Sequence, residues 1–177
     1  MTLYLVLQNV IFMAKAAAKK SAPQKRASTT TTKKPARRTE AKEIKYSDKS
    51  AGQPELIPIF NKLVKLMEPF AKGSIVKSGG EGGQFGLTSK KTVEVGGKKM
   101  EEVWFSGLLI QKGYVGFYFM PVYASPELKA ELAPELLKCL KGKSCFHIKK
   151  ADEQIFKQVK DALKKGYDVY KKKGWIS

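Results

Sequence analysis

The chain has one histidine and two cysteines, His147, Cys139 and Cys145, in 177 residues. A single imidazole leaves general acid–base catalysis few candidates, and two thiols do not make a disulfide framework. A domain of about 120 residues can bury enough apolar surface to fold without one. Both cysteines are therefore expected as reduced, partly buried thiols of a cytoplasmic protein. Arginine is confined to Arg26, Arg37 and Arg38, so every cationic side chain from residue 54 onward, His147 aside, is a lysine. Specific reading of bases leans on the arginine fork against guanine. Lysine alone points to charge contact that ignores sequence. No apolar run reaches the roughly 20 residues that cross a bilayer, and no integral membrane span is expected.

What is abundant is positive charge. Lysine and arginine number 34 against 16 acidic residues, a net charge of +18. Residues 13–53 hold 12 basic and 3 acidic residues, and residues 54–177 hold 22 and 13. Each stretch carries the same excess, but the second is three times as long, so the first is densely charged. Such a field favours polyanions: nucleic acid, anionic membrane or acidic protein. Ahead of it lies Met1–Phe12, nearly uncharged and apolar. Its positive charge follows rather than precedes the apolar run, unlike a secretory signal, although Ala14-Lys15-Ala16 fits a small-x-small cleavage pattern. An interfacial segment backed by basic residues is a second reading. A third places the true start at Met13.

From residue 13 to residue 53 there is no apolar periodicity, and the segment is expected to be a disordered Lys/Ala/Thr-rich tail. Its basic pairs are Lys19-Lys20, Lys25-Arg26, Lys33-Lys34 and Arg37-Arg38, with Pro23 and Pro35 opposing helix. These eight are candidate polyanion contacts. A purely solvating tail predicts the same composition.

Residues 54–177 read as one α+β domain. Leu56, Phe60, Leu63, Met67 and Phe70 recur at helical spacing, with Pro58 allowed only in the first turn. Strands are expected at 74–77 and 84–88, around the glycine-rich Gly79–Gly83. Val95-Gly96-Gly97-Lys98 reads as a hairpin turn pairing Val93 with Met100 and Glu94 with Lys99. A second hairpin turns at Lys112-Gly113. Its register sets Trp104, Ser106, Leu108 and Ile110 against Pro121, Phe119, Phe117 and Val115, with Phe105 against Met120, Gly107 against Tyr118 and Leu109 against Gly116. Both faces of this ribbon are apolar, so it is expected to be central and covered on two sides. Helix is expected after Ser125-Pro126, broken at Pro134 and ending near Leu140. A strand follows at 144–149, with Cys145 and His147 on one side. The last helix starts at an Asp152 cap and carries Ile155, Phe156, Val159, Leu163, Tyr167 and Tyr170 inward, after which Trp175-Ile176 folds back.

The segments Phe119-Met120-Pro121-Val122-Tyr123, Pro126-Glu127-Leu128, Gly142-Lys143-Ser144-Cys145-Phe146-His147-Ile148 and Lys173-Gly174-Trp175-Ile176 resemble the YdhG-like family of domains of unknown function. The likeness covers about residues 56–176. It implies an antiparallel β-meander packed with an N-terminal helix and a C-terminal helix–strand–helix. Some relatives are regarded as frataxin-like iron chaperones, a role that relies on hard carboxylate ligands. Here the domain is net positive, Pro134 interrupts the run Glu127, Glu131 and Glu135, and Asp152-Glu153 reads as a helix start.

Other chemistry is excluded by spacing. Gly142-Lys143-Ser144 mimics the end of a phosphate-binding loop, but the glycine required five residues earlier is Leu137. The Gly79–Gly83 run lacks the fixed spacing of a dinucleotide site and holds Glu81. Cys145 and His147, with Cys139, lack the paired spacings of a zinc site. Trp104, Phe117, Tyr118 and Phe119 suit base stacking, but aromatics on both faces favour core. On the last helix Lys157, Lys160, Lys164 and Lys171 form one stripe, which suits a phosphate backbone and a solvated face alike. The expectation is a non-enzymatic binding domain with no cofactor and no metal site. Its partner is nucleic acid or another polyanion held weakly through the tail. Iron handling is the alternative that the resemblance implies.

Overall fold

The computed structural model describes residues 48–177. Met1–Phe12 and the tail residues Lys19 to Arg38 lie outside the described residues. The chain is already tied to the domain ahead of Pro54. The Lys49 N–H donates to the Gly82 carbonyl at 3.0 Å, and the Gln53 side-chain oxygen accepts from the Gly113 N–H at 2.6 Å.

Helix α1 spans Ile57–Met67 and turns Ile59, Phe60, Leu63 and Met67 inward. Pro58 stands in its first turn, where a missing N–H forfeits no helical bond. One-turn 3-10 segments, Pro54–Leu56 and Glu68–Phe70, flank it. Eight strands follow: β1 Ile75–Gly79, β2 Gln84–Ser89, β3 Val93–Val95, β4 Lys98–Met100, β5 Val103–Gln111, β6 Tyr114–Phe119, β7 Leu140–Lys141 and β8 Cys145–Ile148. Six form one antiparallel sheet in the order β1-β2-β5-β6-β8-β7, while β3 and β4 pair apart as a small ribbon. Three helices of five residues, α2 Met120–Ala124, α3 Pro126–Ala130 and α4 Pro134–Lys138, lead to β7. The long helix α5, Glu153–Lys172, closes the domain.

The core lies between one face of the sheet and helices α1 and α5. Phe105, Leu108, Val115, Phe117, Phe119 and Phe146 bury there, against Leu63, Phe156, Val159, Leu163 and Tyr170 from the helices. The Phe105 ring meets Tyr170 edge-on at 5.2 Å, with Phe70 and Tyr167 beside it. Asp152 caps α5 as expected, its carboxylate accepting from the Gln154 and Ile155 N–H groups. Lys171 and Lys172 stand in the last turn, where positive charge suits the helix dipole. At Gly166 the helix comes so close that a Cβ would lie 2.7 Å from Phe119 Cε2 and 2.8 Å from Pro121 Cγ.

After Gly174 the chain turns back. Trp175 packs on Tyr170 with ring centroids 5.1 Å apart, Ile176 is buried, and the Ser89 hydroxyl donates to the Trp175 carbonyl at 2.7 Å. Gly73 has a positive φ of 60°, and any Cβ there would overlap the Ser177 carbonyl.

Both hairpin registers are those expected from the sequence, Val93 to Met100 and Ser106 to Phe119 through Ile110 to Val115. The pairs Phe105–Met120 and Trp104–Pro121 do not form. Strand β6 stops at Phe119, and Met120-Pro121 opens α2, where proline's missing N–H is tolerated. Helix therefore begins five residues before Ser125. Helix α4 ends at Lys138, and the expected helical tail is instead β7, which turns at Gly142 (φ 72°) to pair with β8. Strand β5 also carries a bulge that no local pattern marks: β2 pairs Leu87 with Ser106 and Thr88 with Trp104, leaving Phe105 as the extra residue. The β5–β6 ribbon is central, as expected, but the described helices cover only one of its faces.

Candidate nucleic-acid interface

The second face of the sheet is the most distinctive surface among the described residues. Strand alternation and the observed registers place on it Gln84, Gly86 and Thr88 from β2, and Trp104, Gly107, Leu109 and Gln111 from β5. They add Tyr114, Gly116 and Tyr118 from β6, Cys145 and His147 from β8, and Lys141 from β7. Leu109, Gln111, Tyr114, Tyr118, Cys145 and His147 are half-buried. On the core face, Leu108, Phe117 and Phe146 are at most 1% exposed. The strand residues of this outer face include no carboxylate.

Glycines make the face flat enough to hold rings against the backbone. The Trp104 indole lies over Gly107, where a Cβ would come within 2.5 Å of Cζ2, and the Tyr118 ring lies over Gly116 at 3.2 Å. The two rings sit side by side, centroids 5.8 Å apart. Trp104 is only 6% exposed, and its Nε1–H is buried with no acceptor among the described residues. Such a donor costs about 1–3 kcal/mol in lost hydration.

Toward the Lys112-Gly113 turn the face becomes polar. The Tyr114 hydroxyl donates to the Gln111 side-chain oxygen at 2.7 Å, and the Gln111 amide donates to the Tyr118 hydroxyl at 2.6 Å. Gln111 thus locks two tyrosines with one side chain. The Tyr114 ring stacks on His147, centroids 3.8 Å apart and planes 13° from parallel. Burial, with the positive Lys141 and Lys149 nearby, holds the His147 imidazole below its ordinary range, so it is neutral near pH 7. Burial raises the Cys145 thiol, with the Tyr118 hydroxyl opposing. Burial likewise raises the Cys139 thiol, with the Asp152 carboxylate adding to it and Lys141 opposing, and Cys139 Sγ is directed at the Glu135 carbonyl, 3.7 Å away. Neither sulfur is held as the thiolate that nucleophilic chemistry needs. No group of three His, Cys, Asp or Glu side chains able to hold a metal occurs among the described residues. Glu127, Glu131 and Glu135 are separately engaged, by Ser125, Lys165 and Gln158.

The lysine stripe expected on the last helix lies on α5. Lys157, Lys160, Lys164 and Lys171 are all exposed. The helical period puts Asp161 and Asp168 in the same stripe, and Lys164 reaches Asp161 at 3.9 Å. The stripe is therefore partly neutralised by its own helix. Beside it, a groove of about 370 Å³ runs between residues 131–133 and α5. Its Lys165 is held by the Glu131 backbone carbonyl at 2.7 Å. The eight tail candidates, Lys19, Lys20, Lys25, Arg26, Lys33, Lys34, Arg37 and Arg38, lie outside the described residues.

Of the four aromatics considered for stacking, Phe117 and Phe119 are wholly in the core, while Trp104 and Tyr118 occupy the outer face. Tyr114, Gln111 and His147 were not expected to meet. Alternation along β5 and β6 was the available signal, with Gly107 and Gly116 marking where rings lie flat. The Tyr114–His147 stack also needs β8 beside β6, which a local pattern does not specify. No helix among the described residues is long and apolar enough to cross a membrane. No family model, curated protein or solved structure matches the chain.

Proposed function

We propose that this chain is a non-enzymatic binding protein that makes sequence-independent electrostatic contacts to nucleic acid. The basic tail supplies most of the attraction, and a YdhG-like α+β domain serves as the folded partner surface. One observation carries the reading: the positive charge is far from balanced. Five lysines of the described residues pair with carboxylates, Lys62, Lys77, Lys90, Lys164 and Lys165. The remaining lysines of the domain have no such partner among the described residues. Lysine supplies point charges rather than the rigid fork that reads bases, which favours contact with the phosphate backbone. The element order, with a helix before an antiparallel sheet and a helix–strand–helix after it, supports the YdhG-like part of the proposal. The iron-handling alternative receives no supporting ligand group from the described residues; saturable ferrous-iron binding in calorimetry would revive it.

The test is binding of labelled duplex DNA to the full chain across a salt series. A variant carries glutamine at Lys19, Lys20, Lys25, Arg26, Lys33, Lys34, Arg37 and Arg38. The full chain is expected to bind with a steep negative slope of log K against log salt. The variant is expected to lose up to about 0.9 of that slope for each contact removed. Duplex binding that is absent at low salt, or indifferent to salt, would overturn the reading.

A further inference from the structure

We infer that the outer sheet face, at the corner built by Tyr114, Tyr118 and His147, is a base-stacking platform for single-stranded nucleic acid, with Lys112, Lys141 and Lys149 as its phosphate-contacting rim. The inference rests on the polyanion reading above and names the form of nucleic acid that the folded domain prefers.

The face has the two things a single strand requires. One is rings at a solvent-facing surface. Tyr114, Tyr118 and His147 are half-buried, and the parallel Tyr114–His147 pair at 3.8 Å is a short stack already in place. A base adds to such a stack through its π-face whatever its identity. The rings are also fixed in advance. The Gln111 amide ties the Tyr114 and Tyr118 hydroxyls at 2.7 and 2.6 Å, so little side-chain freedom is left to lose on binding.

The second requirement is positive charge beside the rings with none of the opposite sign among them. Lys141 and Lys149 stand close enough to His147 to act on its charge. Lys112 is in the turn between Gln111 and Tyr114. All three lysines are exposed, and none is in an ion pair among the described residues. A positively charged rim around uncharged aromatic faces complements a strand of bases joined by phosphates. It does not complement a duplex, whose bases are stacked inside. The polar character of the corner, with an amide, an imidazole and two hydroxyls, likewise suits a base better than an apolar protein surface.

The experiment measures binding of labelled oligothymidine, and of a duplex of the same length, to the full chain and to three variants across one salt series. The wild-type chain is expected to prefer the single strand. Tyr114→Leu is expected to weaken single-strand binding by about five- to a hundredfold, the range of one lost stack, and to weaken duplex binding by clearly less. Tyr114→Phe, which keeps the ring but loses its tie to Gln111, is expected to lose much less single-strand affinity than Tyr114→Leu. The surface double variant Lys141→Gln/Lys149→Gln keeps the test decisive if Tyr114→Leu fails to fold. It is expected to lower the single-strand salt slope by about 0.7 per lysine. Equal losses on single strand and duplex, or no loss in either variant, would overturn the inference. Salt-sensitive duplex binding with no single-strand preference would overturn this inference alone. Absence of binding to both forms would remove the polyanion reading as well.

Discussion

Trp104 and His147 face the same side of the sheet and carry opposite kinds of constraint. The Trp104 indole is buried over Gly107 with its N–H unpaired, so ring and donor act against each other. Trp104→Ala should destabilise the fold by about 3–5 kcal/mol through lost packing. Trp104→Phe should cost about 1 kcal/mol or less, because removing the unpaired donor offsets the smaller ring. Urea unfolding of the two variants checks this, and similar losses for both would mean that the N–H is satisfied. His147 is constrained by charge. Its folded value lies below the 6.5 of the free side chain, so on acidification the unfolded chain takes up the proton first. Stability should therefore fall as pH drops through 6.5 and level off below the folded value. Comparison of urea midpoints from about pH 7.5 to about pH 5.5 with those of His147→Gln isolates the contribution, and an imidazole NMR midpoint above 6.5 would contradict it.

Among the elements, those set by local pattern were readable from the sequence. The Asp152 cap, the α5 stripe, Pro58 in the first turn of α1, the Val93–Met100 hairpin register and the Ser106–Phe119 to Ile110–Val115 part of the second depend on residues near one another, and the structure shows all of them. What was not readable depends on a partner far along the chain. The bulge at Phe105 exists because β2 must place Thr88 against Trp104 while the Phe105 ring joins the core. Strand β7 has two residues and is defined only by its pairing with β8. The candidate site shares this property, since its Tyr114–His147 stack is made by β6 and β8. Gly166 is another such case. In isolation it weakens α5 by about 1 kcal/mol relative to alanine, yet it is where the helix meets Phe119 and Pro121. Gly166→Ala should destabilise the domain by about 1–3 kcal/mol through overpacking, despite the better helix former. A rise in Tm would show that the helix has room to move away.

For the whole molecule, charge and topology are separate properties. Charge was legible from composition, because Coulomb attraction of a +18 chain for a polyanion needs no register. Which face the described helices leave open was not legible, because both strands of the β5–β6 ribbon are apolar on each side and composition does not say which side the helices take. Topology also bears on synthesis. The Ser177 N–H donates to the Ser74 hydroxyl, 103 positions earlier, and α5 follows all eight strands. On a ribosome the sheet would therefore emerge with Phe105, Phe117 and Phe119 lacking the cover of α5 until residues 153–172 leave the exit tunnel. During that interval the nascent chain presents an aromatic surface and unpaired strand edges, the features that invite aggregation. Because the covering helix follows the strands, slowing translation after residue 150 is expected to lower the soluble yield, and an unchanged yield would show that the open sheet is tolerated.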